Sequence, residues 1–555
     1  MSASVSPARR AADYLAGLLP SRDDYRMLRR TWRGDLLAGL TVGIVALPLA
    51  LGFGVSSGLS AEAGLITAIV AGVIAAVFGG SNVQVSGPTG AMVVVLVPIV
   101  ATHGVGAVAT VTILAGVIVL AAGALKLGRA VSFIPWPVIE GFTLGIAVII
   151  FMQQVPLITS AHTADAGDRS SNAVVAAIES IIAADWTYVP WACAAVVIVA
   201  ACMIVAPRIH RSIPGSLLGI VVVTLLLLVV ASPLARIGEL PATLPAPLLP
   251  DLGLPLVGEL LAPALTVAAL AAIESLLSAR VAASLADTGS FDPDRELVGQ
   301  GLASIGSALF GGMPATGAIA RTAVNVRAGA RSRLAAVFHA AVLLLVVLAV
   351  SGPVGTIPLA ALAGVLMVTA FRMVHAATVR SILRSTRADA VAFVLTAVIT
   401  VSFDLIVAVL IGVVFAGVFA LRNLSRSSAV ALEQVTGEQG DEKIAIVRFD
   451  GPLIFAAADR VFDSVNAVRG VSVVILRMSQ IELVDATGAR VLSEIVQTLE
   501  RRGITVLIKG VRPGHEELFR AVGVLGALRH DNHLFAEMEP AIEHARSHIR
   551  RERPS

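Results

Sequence analysis

Charge is scarce in this chain. Of its 555 residues, 79 are Asp, Glu, Lys or Arg, or 14%, against about 25% in ordinary soluble domains. Aromatic residues make up 5%, with three Tyr and four Trp. The two cysteines, Cys193 and Cys202, share one apolar run, 190–206. That excludes a disulfide scaffold and a Cys/His metal site, and both thiols read as filler of an apolar helix. The chain lacks a basic patch interleaved with aromatics, so a nucleic-acid role is excluded. It also lacks a P-loop, a dinucleotide fingerprint and a nucleophile elbow, so neither a cofactor nor an enzyme activity is expected. What is abundant is apolar: 56% of residues, with a mean hydropathy of +0.87. A single soluble core stops growing near roughly 250–300 residues, which excludes one large water-soluble domain.

The charges are unevenly spread. Residues 421–555 hold 36 of the 79 and residues 1–34 hold 10, which leaves 33 across the 386 residues between them. The expected organisation is a short N-terminal segment (1–34), a membrane body (35–422), a linker (423–437) and a soluble domain (438–548). No cleavable signal peptide is expected, because 1–34 is Arg-rich with no apolar run before Leu36. A membrane-crossing helix needs about 20 apolar residues. Long candidates lie at 35–55, 63–78, 107–125, 138–152, 190–206, 215–232, 261–283, 333–351, 357–371, 386–403 and 404–422. Shorter, Gly/Pro-interrupted ones lie at 89–103, 297–310 and 316–328, giving about 14 segments. With the Arg-rich head in the cytoplasm, the connections that should also be cytoplasmic carry Lys126, Arg129, Arg208, Arg211, Arg327, Arg331, Arg333, Arg372, Arg380, Arg384 and Arg387. Opposite connections carry mostly acids: Asp165, Asp168, Glu179, Asp185, Glu239, Asp251 and Glu259. Excess Lys and Arg marks the cytoplasmic side, so both the head and the tail are expected there.

An internal repeat marks the centre of the body. Residues 67–92, TAIVAGVIAAVFGGSNVQVSGPTGAM, resemble 299–322, GQGLASIGSALFGGMPATGAIART. Each has a small-residue helix ending in A-x-F-G-G, a polar stretch, P-T-G or P-A-T-G, and then a half-length apolar helix. The copies lie seven segments apart. Seven is odd, so they run in opposite directions, the inverted-repeat plan of many secondary transporters. A helix starting mid-membrane leaves its first N–H groups without partners and presents its positive end. Thr89 and Thr316 are expected to cap these helices, while Gly90 and Gly317 would let an anion approach the backbone.

Charge inside a span is costly and marks function by default. Glu274 sits in LTVAALAAIESLLSARVAASL, with Ser278 one turn on. Arg321 lies one turn into the second half helix. Glu274 and Arg321 are expected to face one cavity and offset each other until an anion enters. Glu274 would then take H⁺, or hold Na⁺ with Ser278. Glu140 suits a helix start after Pro137. Asp404, Gln153 and Gln154 read as boundary residues, and Trp32, Trp136, Trp186 and Trp191 as interface anchors.

Past residue 423 the pattern alternates. IAIVRF (444–449), VSVVIL (471–476) and ITVLI (504–508) predict strands; AAADRVFDSVNAV, GARVLSEIVQTLERR and GHEELFRAV predict helices. This is a small α/β domain, with Asp485 placed to cap the second helix. His515, His530, His533, His544 and His548 read as surface residues.

The motifs GDLLAGLTVGIVALPLALGFGVSSG (34–58), VSGPTGAM (85–92), IPWPVIEGFTLG (134–145), ELVGQGLASIGSALFGGMPATGAIARTAVN (296–325), IPLAALAGVLM (357–367) and VDATG (484–488) resemble, in order, the sulphate permease anion transporters, solute carrier family 26, with a C-terminal STAS domain. The resemblance implies an all-α polytopic membrane protein in a 7+7 inverted repeat of core and gate domains, dimeric, moving like an elevator in the cytoplasmic (inner) membrane among its lipids. It implies an anion site at Thr89, Gly90, Ala91, Gly317, Ala318 and Arg321, and a coupling-ion site at Glu274 and Ser278. In sodium–bicarbonate relatives the acid is Asp, so Glu274 departs and both H⁺ and Na⁺ stay open. The first span reads ALPLALGFG where sulphate relatives often have a Pro-Gln pair, which resembles the bicarbonate branch. Thr487 matches a commonly phosphorylated position of anti-sigma antagonists. The substrate expected is sulphate or bicarbonate, with a C4-dicarboxylate or other organic anion as the alternative. A nucleobase permease of the same fold fits less well, since a neutral base does not require Arg321. A membrane-anchored signalling protein needs far fewer spans.

Overall fold

The computed structural model describes residues 14–552 apart from 15, 130–134, 160–171, 211–212, 241–242, 251–252, 286–290, 403–410, 412–413, 416, 420–428, 455–460, 463–464 and 466–467. The chain divides into two compact units, Met1–Val413 and Val414–Ser555.

In the first unit the described residues form thirteen main helices. They are α1 (Leu28–Ser56), α2 (Ala61–Phe78), α3 (Gly90–His103), α4 (Gly106–Ala124), α5 (Trp136–Gln153), α6 (Val189–Ile209) and α7 (Gly215–Val229). Then follow α8 (Leu254–Leu285), α9 (Pro293–Leu309), α10 (Ile319–Arg327), α11 (Leu334–Gly355), α12 (Leu359–Met373) and α13 (Arg387–Ser402). Each corresponds to an expected segment. The fourteenth, 404–422, with Asp404, lies outside the described residues apart from 411, 414–415 and 417–419. Arg211, Asp165, Asp168, Asp251 and most of the predicted helix at 456–468 also lie outside them.

The packing repeats as the sequence does. Helix α1 packs on α11, and α8 packs on α4; α5 packs on α13, and α12 on α6; α9 packs on α4, and α11 on α2. Adding seven to one member of each couple gives the other, as a 7+7 repeat requires. The first set joins α1, α2, α4, α8, α9 and α11, and the second joins α5, α6, α12 and α13, a core group and a gate group. Small residues permit the close approach. A Cβ on Gly116 of α4 would lie 2.8 Å from the Gly301 carbonyl of α9, and one on Gly301 would lie 2.6 Å from the Gly116 carbonyl.

The half helices α3 and α10 are each preceded by a two-residue strand, β1 (Ser86–Gly87) and β2 (Thr316–Gly317), and these pair antiparallel. Backbone in an apolar interior must find partners, and the repeat supplies them crosswise. Glu296 of α9 accepts from Gly80 and Ser81 N–H (2.9 and 3.1 Å), holding the stretch before β1. Thr67 of α2 accepts from Met313 N–H (2.7 Å), holding the stretch before β2. Arg333, expected in an exposed connection, is buried and donates to the Ala76 and Gly79 carbonyls at the end of α2. Gln154, expected at a boundary, is buried and bonds Ser56 Oγ (3.2 Å). Glu140 is near the start of α5, paired with Trp136 Nε1, as expected. The four Trp are exposed on the protein, consistent with lipid-interface anchors.

The second unit is a five-stranded sheet in the order β3-β4-β5-β6-β7. Strand β3 (Ala429–Gln434) runs antiparallel to β4 (Ile444–Asp450); β5 (Val473–Arg477), β6 (Thr505–Lys509) and β7 (Leu534–Phe535) are parallel. Alternation sorts the side chains. Val447, Val474, Leu476, Val506 and Ile508 face α14 (Ala486–Arg501) and α15 (Pro513–Val522). Ile446, Val473, Ile475 and Leu507 face α16 (Met538–Glu552) through Ala541, Ala545 and Ile549. The sequence placed β3 in the linker and did not anticipate β7 or α16. The surface reading of the histidines also fails at one position: His533 is 1% exposed.

Candidate functional site

The site forms where α8 passes the paired strands. Glu274 Oε2 accepts from both Thr89 Oγ1 and Thr316 Oγ1, each at 2.8 Å, and the two hydroxyl oxygens are 3.1 Å apart. Thr89 is the N-cap residue of α3 but its side chain makes no capping bond, and the N-cap of α10 is Ala318 rather than Thr316. The expected capping is therefore corrected: a carboxylate is a stronger acceptor partner than a helix-end N–H is a donor, and both hydroxyls turn to it. Ser275, one residue on, was not anticipated; its Oγ accepts from Gly317 N–H at 3.0 Å. Ser278, expected beside Glu274, instead meets Thr322 Oγ1 at 3.1 Å, and that hydroxyl accepts from Val85 N–H at 3.0 Å. Glu274 and Ser278 thus face the same strand pair through different partners.

Arg321 is 2% exposed. It forms no ion pair with Glu274 among the described residues. Nη2 donates to the Pro88 carbonyl at 2.5 Å, which corrects the expectation of direct offsetting. The charges still attract across a longer gap. Among the described residues Arg321 Nη1 has no partner, and neither amide atom of buried Gln84 has one. Unpaired donors of this kind are expensive to bury, and both border the strand pair. A Cβ on Gly87 would lie 2.9 Å from Arg321 Nη1, and one on Gly317 would fall onto the Gln84 amide and lie 3.1 Å from Ser278 Cβ. A Cβ on Gly90 would fall onto Ile150 of α5, with Phe53 of α1 beside it. The space before the α3 N-terminus is therefore walled by both groups, through α1 of the core and α5 of the gate. Ala91 and Ala318, next to the two helix starts, are buried. Gln84 and Thr322 carried no sequence signal, since single polar residues near Gly-rich breaks look like loop, and Ser275 carried none because a lone Ser in an apolar helix reads as filler.

In the second unit, Asp485 caps α14 by accepting from Gly488 N–H (2.7 Å), and Thr487 is exposed in its first turn.

Paired half helices in an inverted repeat, joined to a small α/β domain, define a polytopic membrane transporter with an appended domain. Residues 32–396 match the sulfate permease family and residues 438–541 the STAS domain. YvdB of Bacillus subtilis, whose name assigns it provisionally to sulfate transport, is 34% identical over 500 residues, 88% of this chain and 93% of its own. The bicarbonate transporter BicA of Picosynechococcus is 30% identical over 498 residues, 84% and 87% of the two chains. The structure of the murine anion transporter Slc26a9 in its inward-facing state superposes with a TM-score of 0.81 at 18% identity, over 99% of this chain and 96% of that one, a likeness of fold. The chain belongs to the sulfate permease family. Its members are transporters rather than enzymes.

Proposed function

We propose that this protein is a secondary active transporter of a small inorganic anion, sulfate or bicarbonate, working by elevator-like alternating access and coupled to H⁺ or Na⁺. The observation that carries this is the unpartnered Arg321 Nη1 and Gln84 amide beside two converging half-helix starts. Donors, a fixed positive charge and two helix dipoles suit an anion. The names of the sulfate and bicarbonate relatives support the same class of substrate.

The triangle of oxygens favours H⁺ over Na⁺. Three edges of 2.8, 2.8 and 3.1 Å join Glu274, Thr89 and Thr316. With Glu274 charged, two hydroxyl protons serve two edges and the third is an unsupported oxygen–oxygen contact. With Glu274 protonated, three protons serve three edges. An anion competing for Arg321 removes attraction that favours the charged carboxylate, so anion and proton arrive together.

The test is uptake of labelled sulfate and bicarbonate into proteoliposomes under imposed pH and Na⁺ gradients. A gradient-driven accumulation of one anion supports the reading, and accumulation of neither overturns it. We place the protein in the cytoplasmic membrane with head and tail inside, on the distribution of Lys and Arg, and as a homodimer on the family's habit. The STAS domain regulates, with exposed Thr487 as a contact or modification point. Removal of 430–555 should then change maximal rate or expression and leave anion preference unchanged.

A further inference from the structure

Five of the ten histidines fall in the last 41 residues, and the fold gathers three of them. His544 and His548 lie one turn apart on α16, so both rings project from one helix face. Their Nε2 atoms are 3.3 Å apart. His533 ends the short 3₁₀ turn Asp531–His533 that leads into β7. Its ring centroid is 5.4 Å from that of His544 and 5.5 Å from that of His548, edge-on to both. One coordinating atom from each of the three lies within 4.8 Å of the others.

We propose that His533, His544 and His548 form a site for a divalent transition-metal ion of the zinc type. Zinc–nitrogen bonds of about 2.0–2.1 Å set tetrahedral nitrogens about 3.3 Å apart, and the His544–His548 edge already has that length. The longest edge exceeds it, and ring rotation on the surface helix closes the difference. His533 supplies the fixed corner. It is 1% exposed, and its Nδ1 is buried with no hydrogen-bond partner among the described residues. Such an atom is costly to leave unmet in packing alone and is what an imidazole ligand presents to a metal. The ring also has a hydrogen bond to the Val506 backbone, the kind of outer-shell support that fixes a ligating imidazole. Imidazole donors suit zinc, copper and nickel over magnesium or calcium. The fourth position belongs to water: His530, whose ring is 5.3 Å from that of His533, is exposed. Arg551, whose charge reaches His544, is the group that opposes a cation here. A bound ion would fasten α16 to the turn before β7 and so brace one face of the regulatory sheet.

The test uses the full chain without a polyhistidine tag, stripped with chelator in detergent and titrated with Zn²⁺ against a chromophoric competitor. The expected result is one tightly held zinc per chain, with His544→Ala and His548→Ala each weakening it by more than the roughly 100-fold cost of losing an outer-shell partner. His530→Ala should leave it in place. Both helix positions are half-buried, so those variants should keep the far-ultraviolet circular dichroism of the parent, and that spectrum is recorded alongside. Substitution by Co²⁺ should give the visible absorption of a tetrahedral centre that both variants lose. If the wild type binds no zinc more tightly than about 1 mM, or if a folded His544→Ala variant retains parental affinity, the proposal is overturned.

Discussion

Thr89 and Thr316 stand 227 positions apart in the chain, yet their hydroxyl oxygens are 3.1 Å apart. Each comes from one copy of the repeat, and each turns its proton to the same oxygen of Glu274. The symmetry of the two copies thus converges on a group that only one of them carries.

Glu274→Gln should separate binding from coupling. An amide nitrogen in the place of Oε2 can donate to both threonines and leave a hydroxyl proton for the edge between them, so the triangle survives while the titratable proton does not. Anion binding should persist, and acceleration by an inward cation gradient should vanish, leaving exchange at most. Equal gradient responses from wild type and variant would remove Glu274 from the coupling role.

Gly317 should tolerate no side chain. Gly317→Val drives a branched side chain into Gln84 and Ser278. Uptake should fall to background while the protein still inserts and remains monodisperse in detergent. Full uptake by Gly317→Val would contradict the site assignment.

Arg321 should set affinity. Arg321→Lys keeps the charge and loses the fork that reaches Pro88 with one nitrogen and leaves the other open. The expected outcome is at least a tenfold rise in half-saturating anion concentration with a small change in melting temperature. A large fall in melting temperature with unchanged affinity would make the residue structural.

Asp24 should give the N-terminal segment a pH-dependent hold. Burial works against its charge, but two bonds from Arg295 (3.0 and 2.8 Å) win and draw its carboxyl down from about 3.8 to about 2. A carboxylate shifted down stabilises the fold above its unfolded value, near pH 4, and loses that contribution as pH falls through about 2. Asp24→Asn should therefore cost of order 1–2 kcal/mol near neutral pH, allowing for solvent screening. The difference in melting temperature from wild type should shrink below pH 4. A constant difference down to pH 2 would contradict it.

Much of this was legible because membranes enforce simple patterns. Long apolar runs gave the spans, the repeated A-x-F-G-G and P-T-G signals located both half helices, and a lone acid in an apolar span pointed to Glu274. Distance along the chain hid the rest. Nothing local tells that Glu296 holds Gly80, that Arg333 closes α2, or that Thr322 braces Val85. Helix α16 was missed because its buried stripe is Ala541, Ala545 and Ile549, too small and sparse to stand out amid six charged residues and two histidines in MEPAIEHARSHIRRE. His533 was missed because burial is a property of the turn that carries it.

The crosswise holding of the extended stretches also has a bearing on synthesis. Residues 80–89 take polar partners from Glu274, Glu296, Gln300, Thr316, Arg321, Thr322 and Asn325, all made at least 185 residues later. Until the ribosome has passed Asn325, the backbone there lacks part of its native set of partners inside the bilayer. The first seven helices consequently wait, inserted but unfinished, for the second seven. A nascent chain arrested near residue 290 should be held by insertion chaperones and open to protease, and one arrested beyond residue 355 should not.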